Sequence, residues 1–373
     1  MKIAIDASRA INEKAGIGRY SRELVKNLIK IDQKNQYLLI FSYFRTSLAK
    51  ERLIKTFETE NTEIKVLKIP GNIKEKIWGW RLPVLNNMVK DCDLFFAPSF
   101  FEVNLGLKIP QIVTINDMTT FLFTSHRGKD ISYRLNKRTR QACQKAKKII
   151  AISESTKNDL IKILKISPNK IKVIYPGNTT FKKSGNLPPA LKSKSYILFV
   201  GTIEPRKNLT GLFKAYALLP PAMQAKYPLA IVGAAGWNTG ETLKVYNALK
   251  LEGKVKFLGF LSDEKLAKIY QEAAVFVYPS LYEGFGFPVL EALSFGVPVV
   301  ASKISSLPEV AGNAGILIDP LNPKSITKAI QRFLEGKFEQ EKAKKLGPLQ
   351  AKKFTWEKTA KETIKLFNEV VNG

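Results

Sequence analysis

Two rhythms of apolar and polar positions alternate along this chain. Short apolar runs recur, most of them unbroken, and between many of them lie segments whose apolar residues are spaced three and four apart. In the first half the runs are Ile3–Ile5, Tyr37–Phe41, Ile64–Leu67, Leu94–Phe96, Ile112–Ile115, Ile149–Ile152 and Ile171–Ile174. In the second half they are Tyr196–Val200, Leu229–Val232, Val255–Leu258, Val275–Tyr278, the run ending at Ala301, and Gly315–Asp319. Unbroken runs are expected of parallel strands covered on both faces, and the spaced segments are expected of the covering helices. At 373 residues the chain exceeds what one core usually serves. The pattern predicts two α/β halves, residues 1–178 and 196–355. Residues 179–195 carry Gly, Pro, Ser and Lys without periodicity and read as a linker. Helices are expected at Ser325–Leu334, Glu339–Lys353 and, for the closing segment 356–373, Trp356–Val371.

Chemistry concentrates at the ends of the strand-like runs. After Val275–Tyr278 come Glu283, the glycine-rich Gly284-Phe285-Gly286-Phe287, and Pro288, placed to begin a helix that reaches Glu291. The N–H groups of Val289 and Leu290 are expected to be free at that helix start, which makes an anion site. Such a turn at the carboxyl end of a parallel strand lies where open α/β sheets bind ligands. Two carboxylates beside an anion site suit a nucleoside diphosphate sugar, which offers both phosphate and hydroxyls. After Tyr196–Val200, Arg206 and Lys207 lie beside a helix start, with Asn208 as its N-cap. Two adjacent cations there suit a diphosphate, each charged hydrogen bond being worth about 1.5–3 kcal/mol. Gly16, before the helix Tyr20–Ile29, permits close approach of backbone to phosphate.

Composition narrows the classes. Asp6 and Arg9 interrupt any apolar core in the opening residues, which argues against a signal peptide, and no apolar run reaches membrane-spanning length. Two cysteines, Cys92 and Cys143, form no disulfide framework, and the single histidine, His126, makes a histidine metal site implausible. The expectation is a cytoplasmic protein needing no metal. Asp91-Cys92-Asp93 has the form of a metal-binding D-x-D but directly precedes a strand, where Asp caps or turns.

Charge widens the picture again. Sixty basic against thirty-two acidic residues leave +28. Such an excess favours nucleic acid, acidic lipid surfaces or phosphorylated substrates, or reflects the general composition of the source. Two segments are notably basic. Asn72–Lys90 mixes Trp78 and Trp80 with lysines, and Arg127–Lys148 holds nine basic residues and one acid. Each reads either as a solvated face or as contact with an anionic acceptor or membrane.

The stretch S-L-Y-E-G-F-G-F-P-V-L-E-A, residues 280–292, followed by G-V-P-V-V-A, closely resembles the E-x7-E signature of family 4 retaining glycosyltransferases. E-P-R-K-N at 204–208 and I-G-R-Y at 17–20 extend the resemblance over nearly the whole chain. It implies the GT-B fold, two facing Rossmann-like domains, with a last helix crossing back to the N-terminal one. It implies transfer of a hexose from a nucleotide sugar with retained configuration, without cofactor or metal. Glu283 would hold donor sugar hydroxyls and Glu291 the ribose. Arg206 and Lys207 would neutralise the leaving diphosphate, helped by backbone at Gly16 and at Val289–Leu290. Gly284, Phe285, Gly286 and Phe287 would line the donor. Ala15 replaces the first glycine of the family pair. Asn116-Asp117 stands where the family has His-Asp, and Asn can only hydrogen-bond where histidine could exchange a proton. No general base for the acceptor is evident, which accords with a front-face mechanism. The Gly233–Trp237 segment favours mannosyl transfer from GDP-mannose. The acceptor would be a glycan or lipid-linked saccharide of cell-surface polysaccharide. An anionic membrane surface is a further expected partner, with the enzyme peripheral on the inner face of the cytoplasmic membrane. A nucleotide-sugar epimerase of similar fold and a non-specific nucleic-acid-binding protein are the competing readings.

Overall fold

A computed structural model describes residues 1–13, 16–45, 47–70, 73–74, 85–123, 129–179, 181 and 186–373. The chain forms two compact units. One is Met1–Gly177 with Thr355–Gly373, and the other is Asn178–Phe354.

The first unit is built on seven parallel strands: β1 (Lys2–Asp6), β2 (Gln36–Ser42), β3 (Thr62–Leu67), β4 (Leu94–Ala97), β5 (Gln111–Ile115), β6 (Lys148–Ala151) and β7 (Ile171–Val173). Their order is β3-β2-β1-β4-β5-β6-β7. The central strands are buried on both faces, which is why they are apolar without alternation. The Gly16–Ile31 helix starts four residues before the expected Tyr20 and packs on the closing Trp356–Asn372 helix. Tyr20 and Trp356 meet edge to face at 5.8 Å, and Phe367 packs on Phe96 of β4 at 5.2 Å.

The second unit carries six parallel strands: β8 (Ile197–Val200), β9 (Leu229–Val232), β10 (Val255–Gly259), β11 (Val275–Tyr278), β12 (Val299–Ser302) and β13 (Gly315–Ile318). Their order is β10-β9-β8-β11-β12-β13. Of the stretch read as a linker, Phe181 and Leu191 are buried, and the Lys194 amide donates to the Glu272 carbonyl, all within this unit.

In both sheets the strand order reverses once. The reversals lie between neighbours β1 and β4 and between neighbours β8 and β11. The carboxyl ends of those pairs are where open α/β sheets bind ligands.

Candidate functional site

The second unit's switch point gathers three of the residues expected from sequence. After β8, Pro205–Lys207 makes one 3₁₀ turn, with proline at its start, where a missing N–H costs nothing. Asn208 follows at φ +57°, a left-handed conformation that asparagine tolerates better than most residues. Its side chain accepts from the Gly211 amide at 3.1 Å as an N-cap. It also donates to the carbonyls of Pro279 at 3.1 Å and Pro320 at 2.7 Å, so it ties the loop after β8 to the loop after β11. Capping was the whole role expected of it; the cross-tie is additional.

Glu283 lies five residues past the end of β11, and both its oxygens are engaged. Oε1 is 2.6 Å from Lys207 Nζ and accepts from Ser280 Oγ at 2.7 Å, while Oε2 is 2.9 Å from Arg206 Nη1. Arg206 Nη1 also donates to the Tyr282 carbonyl at 2.6 Å, and Nη2 pairs with Glu204 Oε1 at 2.5 Å. Lys207 Nζ donates to Tyr278 Oη at 2.7 Å. Burial alone would raise the Glu283 carboxyl, but Arg206 and Lys207 outweigh it and hold the group at about 2, fully ionised at neutral pH. Burial, with Arg206 beside it, lowers Lys207 from the usual lysine range against the pull of Glu283.

The helix of the signature runs from Phe287 to Ser294. Gly286 caps it at φ +109°, and a Cβ there would lie 2.5 Å from Leu307 Cδ2, so only glycine suits the turn. Glu291 is buried and accepts from Tyr270 Oη at 2.9 Å. One expectation is corrected here. The Val289 and Leu290 amides are not free, because both donate to the Gly286 carbonyl, at 3.0 and 3.2 Å. Glycine in the left-handed region turns that carbonyl back over the first helical turn, where it takes up both donors. Phe285 is buried between Phe287 and Phe354, at 5.3 and 5.5 Å, and so fixes the loop against its own unit.

Gly284 lies with Glu283 in the turn after β11, and the other site residues expected from sequence belong to the first unit. Gly16 opens the Gly16–Ile31 helix, is exposed, and would give a Cβ open space. The tight position is Gly18, where a Cβ would fall 1.9 Å from the Glu13 carbonyl oxygen. Asn116 follows β5, is 7% exposed, and its Oδ1 has no hydrogen-bond partner among the described residues. Asp117 accepts from the Thr119 amide at 2.8 Å, a local cap. Asp93 accepts from the Lys2 amide at 2.8 Å, which ties the turn before β4 to the start of β1. Among the described residues no group of three or more His, Cys, Asp or Glu could hold a metal ion. Ala15, Trp78, Trp80, His126 and Arg127 lie outside the described residues.

Sequence reasoning missed the first unit's own switch point. There Asp6, Ser8, Lys74 and Glu102 are buried, and Lys74 Nζ reaches Asp6 Oδ2 at 2.7 Å and Ser8 Oγ at 2.9 Å. Glu102 Oε1 is 3.2 Å from Arg9 Nε, and Ser99 Oγ donates to its Oε2. The signal was present. Pro98-Ser99-Phe100-Phe101-Glu102 after β4 repeats the pattern of Pro279-Ser280-Leu281-Tyr282-Glu283 after β11. In each turn the serine bonds the glutamate three residues on, and the glutamate pairs with an arginine presented after the neighbouring strand.

Comparisons with known proteins agree with these observations. A family profile described as "Glycosyl transferases group 1" matches residues 185–353, and one described as "Glycosyltransferase Family 4" matches residues 15–180. The chain is 30% identical to the O-antigen chain mannosyltransferase B of Escherichia coli over 94% of this chain and 95% of that one. Among solved structures it resembles sucrose-phosphate synthase from Thermosynechococcus elongatus, with a TM-score of 0.77 at 18% identity over 99% of each chain. It also resembles Anabaena HepE in complex with UDP and glucose, with a TM-score of 0.70 at 19% identity over 98% of this chain and 99% of that one.

Proposed function

This chain belongs to the family 4, group 1 glycosyltransferases of GT-B fold, and from that premise we propose that it moves mannose from GDP-mannose, with retained configuration, onto a glycan or lipid-linked acceptor. The observation that carries this reading is the buried constellation of Glu283 with Arg206 and Lys207 at the second unit's switch point. The choice of mannose rests on the mannosyltransferase relative, which matches over nearly its full length. A nucleotide-sugar donor accords with the UDP held by HepE.

In this mechanism the donor diphosphate lies beside Arg206 and Lys207. Two of the three N–H donors of Lys207 serve Tyr278 and Glu283, so the third is available to a phosphate oxygen. Glu283 keeps both cations in place before substrate arrives, and their charge then stabilises the phosphate as its own charge grows in the transition state. Gly286 holds the turn over which the sugar hydroxyls approach Glu283, and Glu291, aligned by Tyr270, takes the ribose hydroxyls. The departing phosphate accepts the acceptor proton, and neither a metal nor a cofactor takes part. No helix among the described residues is long and apolar enough to cross a membrane. The basic Lys129–Lys145 helix supports a peripheral position on an anionic surface in cell-surface polysaccharide synthesis.

The test is transfer from a panel of nucleotide sugars to an α-mannoside acceptor, with and without EDTA, and NMR of the product's anomeric centre. GDP-mannose is the expected donor, with an α-linked product formed in the presence of EDTA. An inverted product, or activity restored only by manganese, would overturn the mechanism.

A further inference from the structure

The turn that carries Glu283 is held from outside itself. β11 and β12 lie side by side, with Tyr278 opposite Ala301, so the chain that leaves β12 can reach the turn that leaves β11. Three consecutive residues of it grip that turn. Ser305 Oγ accepts from the Glu283 amide at 3.0 Å. Ser306 Oγ lies 2.9 Å from the Glu283 carbonyl and 2.8 Å from the Phe285 carbonyl, and its one proton is shared between them. Leu307, fully buried, fills the space a Cβ on Gly286 would need, which would fall 2.5 Å from its Cδ2. Glu283, Phe285 and Gly286 are thus each fixed by a side chain of the neighbouring loop.

Two residues of this loop forgo the locally favoured arrangement. Ser305 sits at φ +54°, in the left-handed region that serine seldom adopts. Such a conformation persists where the surroundings over-determine it, and it clusters at functional sites. Ser306 stands at the N-cap of the Leu307–Ala311 helix, where a serine side chain ordinarily accepts from that helix's own amides. It makes no side-chain cap, and its hydroxyl serves the Glu283 turn instead. The twin turn after β4 shows the simpler alternative: the Glu102 amide donates within its own turn, to the Ser99 carbonyl at 3.2 Å. A reacting constellation must be held to within about 0.5 Å, which a supporting layer of hydrogen bonds and packing achieves.

We infer that Ser305, Ser306 and Leu307 are positioning residues for the transfer: they set where Glu283 stands, and through it Arg206 and Lys207, against the donor. The inference rests on the glycosyltransferase reading. Ser305→Gly is the decisive variant, because glycine takes the left-handed φ freely while the acceptor for the Glu283 amide is lost. The panel of nucleotide sugars first identifies the wild-type donor. Ser305→Gly should then melt no lower than wild type, with kcat down about tenfold and donor KM within about twofold, one hydrogen bond's worth of transition-state alignment. Ser305→Ala loses the same bond and keeps the strain, so it should match that kcat and melt below Ser305→Gly. Ser306→Ala should lower kcat at least as far, since it releases two carbonyls of the turn. A second readout needs no turnover. Hydrogen exchange at the Glu283 amide, followed by NMR on the full chain without donor, should quicken about tenfold in Ser305→Gly. Wild-type kcat, a raised donor KM with kcat spared, or unchanged exchange at Glu283 in Ser305→Gly would overturn the inference. A wild type inactive with every nucleotide sugar would sink the glycosyltransferase reading instead, and the exchange rate would still decide whether Ser305 holds the turn.

Discussion

Glu283 and Lys207 stand 76 positions apart in sequence, yet Oε1 and Nζ are 2.6 Å apart, joining the loops that end two neighbouring strands. The pair is buried, with Arg206 on the other carboxylate oxygen at 2.9 Å. A pair of this kind contributes little net stability while intact, but breaking it is costly, because it strands a buried charge.

That asymmetry gives the first prediction. Arg206→Ala with Lys207→Met should abolish transfer and also destabilise the fold by about 3–5 kcal/mol, since Glu283 is left charged and unpaired. Adding Glu283→Gln should restore most of the lost stability without restoring transfer. Urea denaturation of the double and triple variants decides it. A double variant as stable as wild type would mean that the ion pairs are dispensable to the fold.

The second prediction sets the twin glutamates against each other. The Glu283 carboxyl is lowered from the ordinary 4.5 to about 2, so its contribution is present above pH 4.5 and lost as pH falls toward 2. Burial and the charge of Asp6 raise the Glu102 carboxyl to about 7, so its contribution is present below pH 4.5 and lost as pH rises through 7. Between pH 5 and 8, then, wild type should lose stability relative to Glu102→Gln by an amount on the order of 3 kcal/mol, while the difference from Glu283→Gln stays flat. Unfolding free energies at four or five pH values measure both. Parallel curves would contradict the assignment.

The central strands were legible because parallel strands buried on both faces leave unbroken apolar runs, as Tyr37–Phe41 and Val275–Tyr278 do, and the edge strands β3, β7 and β10 remained legible although Lys65, Lys172 and Lys256 interrupt them. Arg206, Lys207 and Glu283 were legible because residues at strand ends in this fold converge on one crevice. The use of the Val289 and Leu290 amides was not, since it depends on the Gly286 φ angle, which a sequence permits but does not state. Lys74 was read as one more cation in a basic stretch; its partner Asp6 is 68 positions away, and no local pattern announces that pairing. The repeated P-S-x-aromatic-E turn was within reach, but one half is flanked by a glycine-rich signature that draws notice and the other is not.

Asn116 supplies the third prediction. A buried acceptor without a partner costs about 1–3 kcal/mol, a cost tolerated where a ligand completes the bond. Asn116→Leu should therefore raise the melting temperature of the free protein and lower transfer. A variant that is both less stable and fully active would show that the amide serves the fold instead.

The last prediction concerns the two glutamates of the signature, whose surroundings now separate them. Glu283 is fixed by two cations and a serine at the centre proposed to react, while Glu291 is held by the Tyr270 hydroxyl within the helix. Loss of the proposed ribose contact would remove binding that ground and transition states share, so Glu291→Gln should raise KM for the proposed donor, GDP-mannose, by a modest factor and spare kcat. Tyr270→Phe removes the hydroxyl that holds Glu291 and should reproduce that effect more weakly. Glu283→Gln should instead lower kcat by about 10²-fold or more, because it disturbs both the sugar contact and the cations that meet the growing phosphate charge. Donor-saturation kinetics on the three variants, with circular dichroism to confirm folding, test the division. Wild-type kcat in Glu283→Gln would make the buried ion pairs purely structural and remove the chemical basis for placing the reacting sugar at this turn. A kcat effect in Tyr270→Phe without a KM effect would reverse the roles assigned to the two carboxylates.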